Sequence, residues 1–443
     1  MKGYTKALLL SASLLFSGSA VQATEAKDIQ SFSLDNGMKI MVLEDSSIPN
    51  ANMYLFWKVG SRNEVPGITG ISHFFEHMMF NGAKKYGPKM FDRTMEAVGG
   101  ANNAYTTENL TVYTNWFPAN ALETIFDLEA DRIENLDINP GMVASERGVV
   151  ASERLTGLEN SNWRNLQEEL KGAAFRAHPY SWPVIGHESD IAAWTLEDLV
   201  QYHKTYYAPN NAVVVIAGDV KLADVKRLAK QYLAPIPAQA PPKAVKTIEP
   251  IQKGERRVFV QKASVSTPNV MLGYHVPASS NNDYYALDLL SSILTSGNSS
   301  RMYQGLVDKQ VALGVETYLP MSFDANLFYV MGVASPGVTA TQLEHGLIAQ
   351  INTIAHDGVT DTELAKVKNL KLMDFYQSME TINGKANTIG TYELFFGSYD
   401  KLFNAPEAYN KVTPADIQRV AKTYLIRSNR TVAVLAATEE SDK

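Results

Sequence analysis

The sequence predicts two tandem, homologous α+β domains, each a mostly antiparallel sheet with helices packed on it. Three observations point there: an internal repeat, a proline-rich break near the middle of the chain, and strands mixed with helices without strict alternation. A length of 443 residues exceeds one ordinary domain. With 45% hydrophobic and 20% charged residues, there is apolar material for sizeable cores, and wholesale disorder is excluded.

The elements follow in chain order. Lys2 and Lys6 precede an apolar stretch from Ala7 to Phe16, and small residues close it at Val21-Gln22-Ala23. This is the pattern of a secretory signal over residues 1–23, expected to be cut after Ala23. An uncleaved anchor is the alternative, but the apolar run falls short of the ~20 residues a spanning helix needs. Cleavage removes two lysines and no acid, taking the net charge from −7 to −9. The mature chain is therefore expected to be periplasmic or secreted, with no membrane attachment. Residues 24–234 form the N-terminal domain, 235–256 the linker and 257–443 the C-terminal domain. The linker opens with Pro235-Ile236-Pro237-Ala238-Gln239-Ala240-Pro241-Pro242-Lys243, an extended, semi-rigid composition. Strands are expected at 39–44 and 212–217 in the first half, and at 258–261, 328–333 and 431–436 in the second.

The repeat aligns residues 195–217 with 413–435 at an offset of 218. Thr195, Asp198, Lys204, Thr205, Tyr206, Asn211 and Val214 meet Thr413, Asp416, Lys422, Thr423, Tyr424, Asn429 and Val432. Each copy reads as a helix capped by threonine, a turn and a buried strand. Chance likeness between two such units is the alternative; an offset of about half the mature length favours duplication.

Composition narrows the chemistry. With no cysteine, disulfides, thiolate metal sites and cysteine nucleophiles are all excluded, so a metal must be held by His, Asp or Glu. Forty basic against 47 acidic residues, with no Lys/Arg-rich run, argue against a nucleic-acid partner.

The segment Gly70-Ile71-Ser72-His73-Phe74-Phe75-Glu76-His77-Met78-Met79 carries the strongest signal. On a helix, Ile71, Phe74, Phe75, Met78 and Met79 share one apolar side, and His73, Glu76 and His77 the other. Two histidines one turn apart can share a zinc ion, and a carboxylate beside them can reach water at that ion. Two half-buried histidines bonded to backbone are the structural alternative. A catalytic zinc takes three protein ligands. The remaining histidines make no paired motif, so a carboxylate is expected. Glu146 and Glu153, seven residues apart, fall on nearly one helix face. Spacing does not choose between them, and by itself fits a solvated charged face as well.

The order His-x-x-Glu-His, followed by Gly99-Gly100-Ala101-Asn102-Asn103-Ala104-Tyr105-Thr106 and then Glu146 and Glu153, resembles the pitrilysin (inverzincin) family of zinc peptidases. In length the chain resembles the shorter subfamily that includes mitochondrial processing peptidase subunits. Leu34-Asp35-Asn36-Gly37, Gly60-Ser61-Arg62-Asn63-Glu64, Ala177-His178-Pro179-Tyr180 and Tyr207-Ala208-Pro209-Asn210-Asn211 extend the likeness. The resemblance implies a processing-peptidase-like metallohydrolase fold, one Zn2+ per chain held by His73, His77 and Glu153, Glu76 as general base, and Glu146 behind the ligands. It also implies that a peptide adds as a strand along Asn103, Ala104, Tyr105 and Thr106.

The second half has no such motif. The repeat brings His73 to Ser291, and Asp308 and Val315 stand where the family's Arg/Tyr pair is expected. Arg301, Tyr303 and Tyr318 are the nearby substitutes. The expected protein is an exported zinc endopeptidase for short unfolded peptides. It is expected to act as a homodimer, or as a heterodimer with a homologous subunit that carries the Arg/Tyr pair. A non-catalytic scaffold subunit is the alternative, and the intact His73/Glu76/His77/Glu153 set speaks against it.

Overall fold

The computed structural model describes residues 24–437, so the signal read at residues 1–23 lies outside the described residues. The first half builds one sheet from β1 (Ile29–Ser33), β2 (Lys39–Glu44), β3 (Asn50–Trp57), β4 (Ala101–Thr106), β5 (Thr111–Pro118) and β6 (Ala212–Gly218), in the order β1-β2-β6-β3-β5-β4. Its helices are α1 (Ile71–Met78), α2 (Met90–Ala97), α3 (Leu122–Asn135), α4 (Pro140–Asn160), α5 (Asn162–Ala174), α6 (Glu188–Ala193), α7 (Leu196–Tyr206) and α8 (Leu222–Leu228). No regular element follows between Leu233 and Arg256.

The second half builds a sheet from β7 (Arg256–Gln261), β8 (Asn269–Val276), β9 (Ala312–Tyr318), β10 (Asn326–Ala334) and β11 (Arg430–Ala436), in the order β7-β11-β8-β10-β9. With it go α9 (Tyr284–Thr295), α10 (Ala340–Asp357), α11 (Asp361–Ser378), α12 (Ile382–Phe395), α13 (Asp400–Lys411) and α14 (Pro414–Tyr424). Without β1, the first sheet has the strand order of the second. Both sheets are mixed rather than antiparallel throughout, because β6 runs parallel to β2 and β11 parallel to β7.

The repeated residues do the same work twice. Thr195 and Thr413 form reciprocal caps with Asp198 and Asp416 at the starts of α7 and α14. Asn211 and Asn429 each donate from Nδ2 to the last helical carbonyl, Tyr206 O and Tyr424 O, both at 2.8 Å. These bonds turn each helix into the buried strand that follows.

The halves exchange a helix. α5 packs on β7, β8 and β11 of the second sheet, and α12 packs on β3 and β6 of the first. Leu166, Leu170 and Ala174 of α5 bury themselves against Met271, Leu327, Tyr329 and Leu435. Ile382, Ala386 and Ile389 of α12 lie against Tyr54, Phe56, Val213 and Val215. At roughly 1.5–3 kcal/mol for each fully buried Leu or Ile, these seams fasten the two halves firmly together.

Candidate metal centre

α1 begins where backbone approaches backbone. Gly70 has φ +86°, and a Cβ there would lie 2.3 Å from Ile185 O; Gly186 has φ +85°, and its Cβ would lie 2.4 Å from Thr69 O. Only glycine allows the 183–186 loop so close to the helix start. The buried Glu64 carboxylate accepts from Gly70 N and Ser72 N, both at 2.8 Å, and so satisfies helix-end amides. Burial pushes its pKa up to about 8, against the pull of those two amides. The inner face of α1 is fixed by Ser72 Oγ against Tyr202 OH at 2.6 Å, and by Tyr113 OH donating to Phe75 O at 3.1 Å.

Ile71, Phe74, Phe75 and Met78 are fully buried, as the periodicity requires, and His73, Glu76 and His77 are left half-buried on the other side. α4 crosses that side. Its start is set by Asn139, whose side chain accepts from Met142 N, and by Pro140 in the first turn. Glu146 and Glu153, two turns apart, reach opposite edges of the His77 ring. Glu146 Oε1 lies 2.7 Å from Nδ1, and Glu153 Oε2 lies 3.5 Å from Nε2 and 3.6 Å from His73 Nε2. Asn81 donates to the other Glu146 oxygen at 2.7 Å.

One ligand atom from each of His73, His77 and Glu153 lies within 4.8 Å of the others, and no other such group occurs among the described residues. Tetrahedral zinc, with bonds of ~2.0–2.1 Å, sets its ligand atoms ~3.3 Å apart. The two carboxylate-to-imidazole separations fit that ion, as does a donor set of two nitrogens and one oxygen. Glu146, on the far ring edge, is placed to fix which nitrogen of His77 faces the cluster.

The charges are set by burial and by these contacts. Burial lowers the His73 pKa to about 4. Burial also opposes charge on His77, but the bonds to Glu146 and Glu153 outweigh it and raise its pKa to about 9. Glu146 and Glu153 are both held below the ordinary carboxylate range, chiefly by His77. Glu76 is raised by burial, while the Thr106 hydroxyl, donating to its Oε2 at 2.6 Å, works in the opposite sense.

Thr106 ends β4, the edge strand of the first sheet, which pairs only with β5. The four residues expected to bind peptide divide by alternation. Thr106 meets Glu76 and Ala104 packs on the first core, whereas Asn103 and Tyr105 are exposed on the other face. Tyr105 OH contacts Asn387 Oδ1 of α12 at 3.4 Å. A cavity of about 230 Å³ opens beside His73, Glu153 and Thr106, walled by α5 and the 183–185 loop.

In the second half Ser291, at the position of His73, donates to Thr317 Oγ1 at 2.8 Å. Arg301 is engaged by Glu363, at 2.6 and 3.0 Å, and by Gly358 O. Tyr303 lies in the turn of helix at Tyr303–Val307, and Tyr318 ends β9 beside Tyr329. Two contributors escape the sequence reading. Asn81 follows the end of α1, four residues after His77, and the capping by Glu64 has only its nearness to α1 as a signal.

Known proteins show the same plan. Residues 39–188 match the family model described as Insulinase (Peptidase family M16), and residues 193–371 the one described as Peptidase M16 inactive domain. Zinc protease PqqE of Helicobacter pylori is 31% identical over 416 residues, covering 92% of each chain. An uncharacterized zinc protease of Bacillus subtilis, YmxG, is 25% identical over 88% of this chain and 94% of that one. Among solved structures, a protease from Helicobacter pylori superposes with a TM-score of 0.88 at 30% identity, covering 92% of this chain and 99% of that one. The periplasmic protease PqqL from Escherichia coli shares the fold at 18% identity and a TM-score of 0.78, over 94% of this chain and 48% of that one.

Proposed function

The chain belongs to peptidase family M16, the pitrilysin zinc metallopeptidases, and from that premise we propose that it is an exported zinc endopeptidase that cleaves short unfolded peptides. The observation that carries this reading is the convergence of His73, His77 and Glu153, with Glu76 beside them on the same helix face. These three residues would hold one Zn2+, and Glu146, through His77 Nδ1, keeps Nε2 turned toward it. A zinc ion held there supplies Lewis acidity, which makes water a nucleophile near neutral pH and polarises a carbonyl.

The remaining steps belong to the chain. Glu76 takes the proton from the attacking water and returns it to the leaving amine, and Thr106 aims its carboxylate. The free edge of β4 offers backbone amides and carbonyls to an extended peptide, so selection by backbone favours unfolded segments. Chain length supports a reading among the shorter, processing-peptidase-like members. Asp308 and Val315 stand where the second half's Arg/Tyr pair is expected, and Arg301 is already paired with Glu363. A dimer, with a second copy or with a homologous subunit bearing that pair, would complete the site. The N-terminal signal supports export to the periplasm or medium.

The test is chelator-sensitive hydrolysis of a quenched fluorescent peptide. Glu76→Gln should keep zinc and lose ~100-fold or more of the rate, and His77→Ala should lose both. Equal zinc content in wild type and in His73→Ala/His77→Ala would overturn the assignment. Native mass and peptidase rate, measured together, test the dimer; full activity of a monomer would remove it.

A further inference from the structure

We infer that the cavity beside the candidate metal centre receives a carboxylate of the peptide, and that Arg164 is the residue that selects it. This deepens the peptidase reading and rests on it. His73, Glu153 and Thr106 line one side of the cavity, so a side chain that fills it belongs to a residue adjoining the bond under attack. Three cations line it too: Arg154, Arg164 and Lys171. Two are already neutralised, Arg154 by Glu168 at 2.6 and 3.2 Å and Lys171 by Glu108 at 2.7 Å. Among the described residues, no carboxylate lies within ion-pair distance of Arg164.

Arg164 is exposed, and its side chain rests on α4. Its backbone amide donates to Ser161 Oγ at the start of α5, and its guanidinium lies across α4 at Gly157. A Cβ on Gly157 would come within 2.3 Å of an Arg164 guanidinium nitrogen, so the bare glycine lets the arginine lie close against α4. Gly157 stands one turn beyond Glu153, which keeps the positive charge next to the cluster. Glu153, which lines the same cavity, belongs to the candidate metal set. On the loop side, Val184 and Ile185 give an apolar wall for methylenes, held against α1 by the approach of Gly70 to Gly186. A cationic end and an apolar wall suit a glutamate side chain or the free C-terminus of a short peptide.

The test measures binding separately from turnover. Zinc-loaded Glu76→Gln protein is titrated with three fluorescein-labelled nonapeptides: one with a central Glu and an amidated C-terminus, its Gln isostere, and the Gln peptide with a free C-terminal carboxylate. The Glu peptide, the free-acid peptide or both should bind about tenfold tighter than the amidated Gln peptide, and which one does so identifies the source of the carboxylate. The ratio should shrink as salt rises from about 50 to about 500 mM. Adding Arg164→Gln should bring it below about twofold, and Arg164→Lys should restore part of it. Equal binding of all three peptides, or a ratio that survives Arg164→Gln, overturns the inference. Wild-type hydrolysis of the same peptides reports separately on the peptidase reading, so the two failures are distinguishable.

Discussion

Gly390 lies buried in the middle of α12, where that helix crosses β3, and its replacement by alanine tests how the two halves are locked together. A Cβ at this position would sit 2.1 Å from Cε2 and 2.4 Å from Cζ of Phe56. Ordinary carbon contacts need ~3.5–4.0 Å, so ring or helix must shift by about 1.4 Å. Neither is free to do so. Phe56 is fully buried and stacked on Tyr54 with centroids 5.4 Å apart. α12 is pinned two turns earlier by Asn383, whose Oδ1 accepts from Asn52 Nδ2 at 3.1 Å and from Tyr54 OH at 2.9 Å. Helix propensity alone makes Gly390→Ala stabilising by ~1 kcal/mol. Overpacking costs ~1–3 kcal/mol and lies at the upper end here, so the net change is a loss of about 1–2 kcal/mol. Urea unfolding of the mature chain, followed by tryptophan fluorescence and circular dichroism, reads the sign. Phe56→Leu removes the obstructing ring atoms, and in that background the same alanine should become neutral or stabilising by up to ~1 kcal/mol. A higher unfolding midpoint for Gly390→Ala alone would refute the argument.

Three further outcomes are expected. Asn81→Ala removes the amide that steadies Glu146 behind His77, and should weaken zinc affinity by roughly 10–100-fold in a chelator competition. Thr106→Val deletes the hydroxyl donor to Glu76, and should cost ~10-fold or more in kcat/KM at unchanged zinc content, with the acid limb of the pH profile moving upward because that bond lowers the Glu76 pKa. Glu363 is held at about 2, chiefly by Arg301, against 4.5 when free. A depressed carboxylate stabilises the fold above pH 4.5 and loses that contribution as pH falls toward 2. The shift bounds the effect at ~3 kcal/mol, and screening at this partly exposed pair reduces it to ~1 kcal/mol. Wild type should therefore lose about that much more stability than Glu363→Gln between pH 5 and pH 3, measured by urea midpoints.

What the sequence reveals depends on whether a residue pattern has one physical solution. α1 does: its apolar positions admit a single buried face, which leaves His73, Glu76 and His77 together opposite it. The capping threonines and turn asparagines of the repeat do as well, since each satisfies a local backbone group in both copies. Glu146 and Glu153 have two solutions. Seven residues put both on one face of α4, and what separates them is the edge of His77 that each meets, fixed only by how α1 and α4 cross. Strand direction is hidden for a similar reason. β6 is apolar and buried along its whole length, and residue pattern reports which faces a strand buries, not which way its neighbour runs, so its parallel pairing with β2 stays unread. Arg164 looks like any charged helical residue until the pairing of its neighbours leaves it alone.

The helix exchange explains how the second half reaches the candidate site without a His-x-x-Glu-His segment of its own. An amphipathic pattern shows that α5 and α12 each bury a face, but not which sheet receives it. Because α12 sits on the first sheet, its Asn383, Asn387 and Gly390 lie on one face that meets Asn52, Tyr54, Tyr105 and Phe56. Asp324 of the second half meanwhile holds Arg62, two residues before the Glu64 that caps the metal helix. The duplicate of α1 has turned its polar positions inward instead, with Ser291 on Thr317 and Asp288 on Lys371 and Tyr409. One copy thus carries the candidate ligands, while the other braces the strand and the loop beside them. A substitution in α12 that leaves every ligand untouched should still raise KM, because it moves the wall over β4.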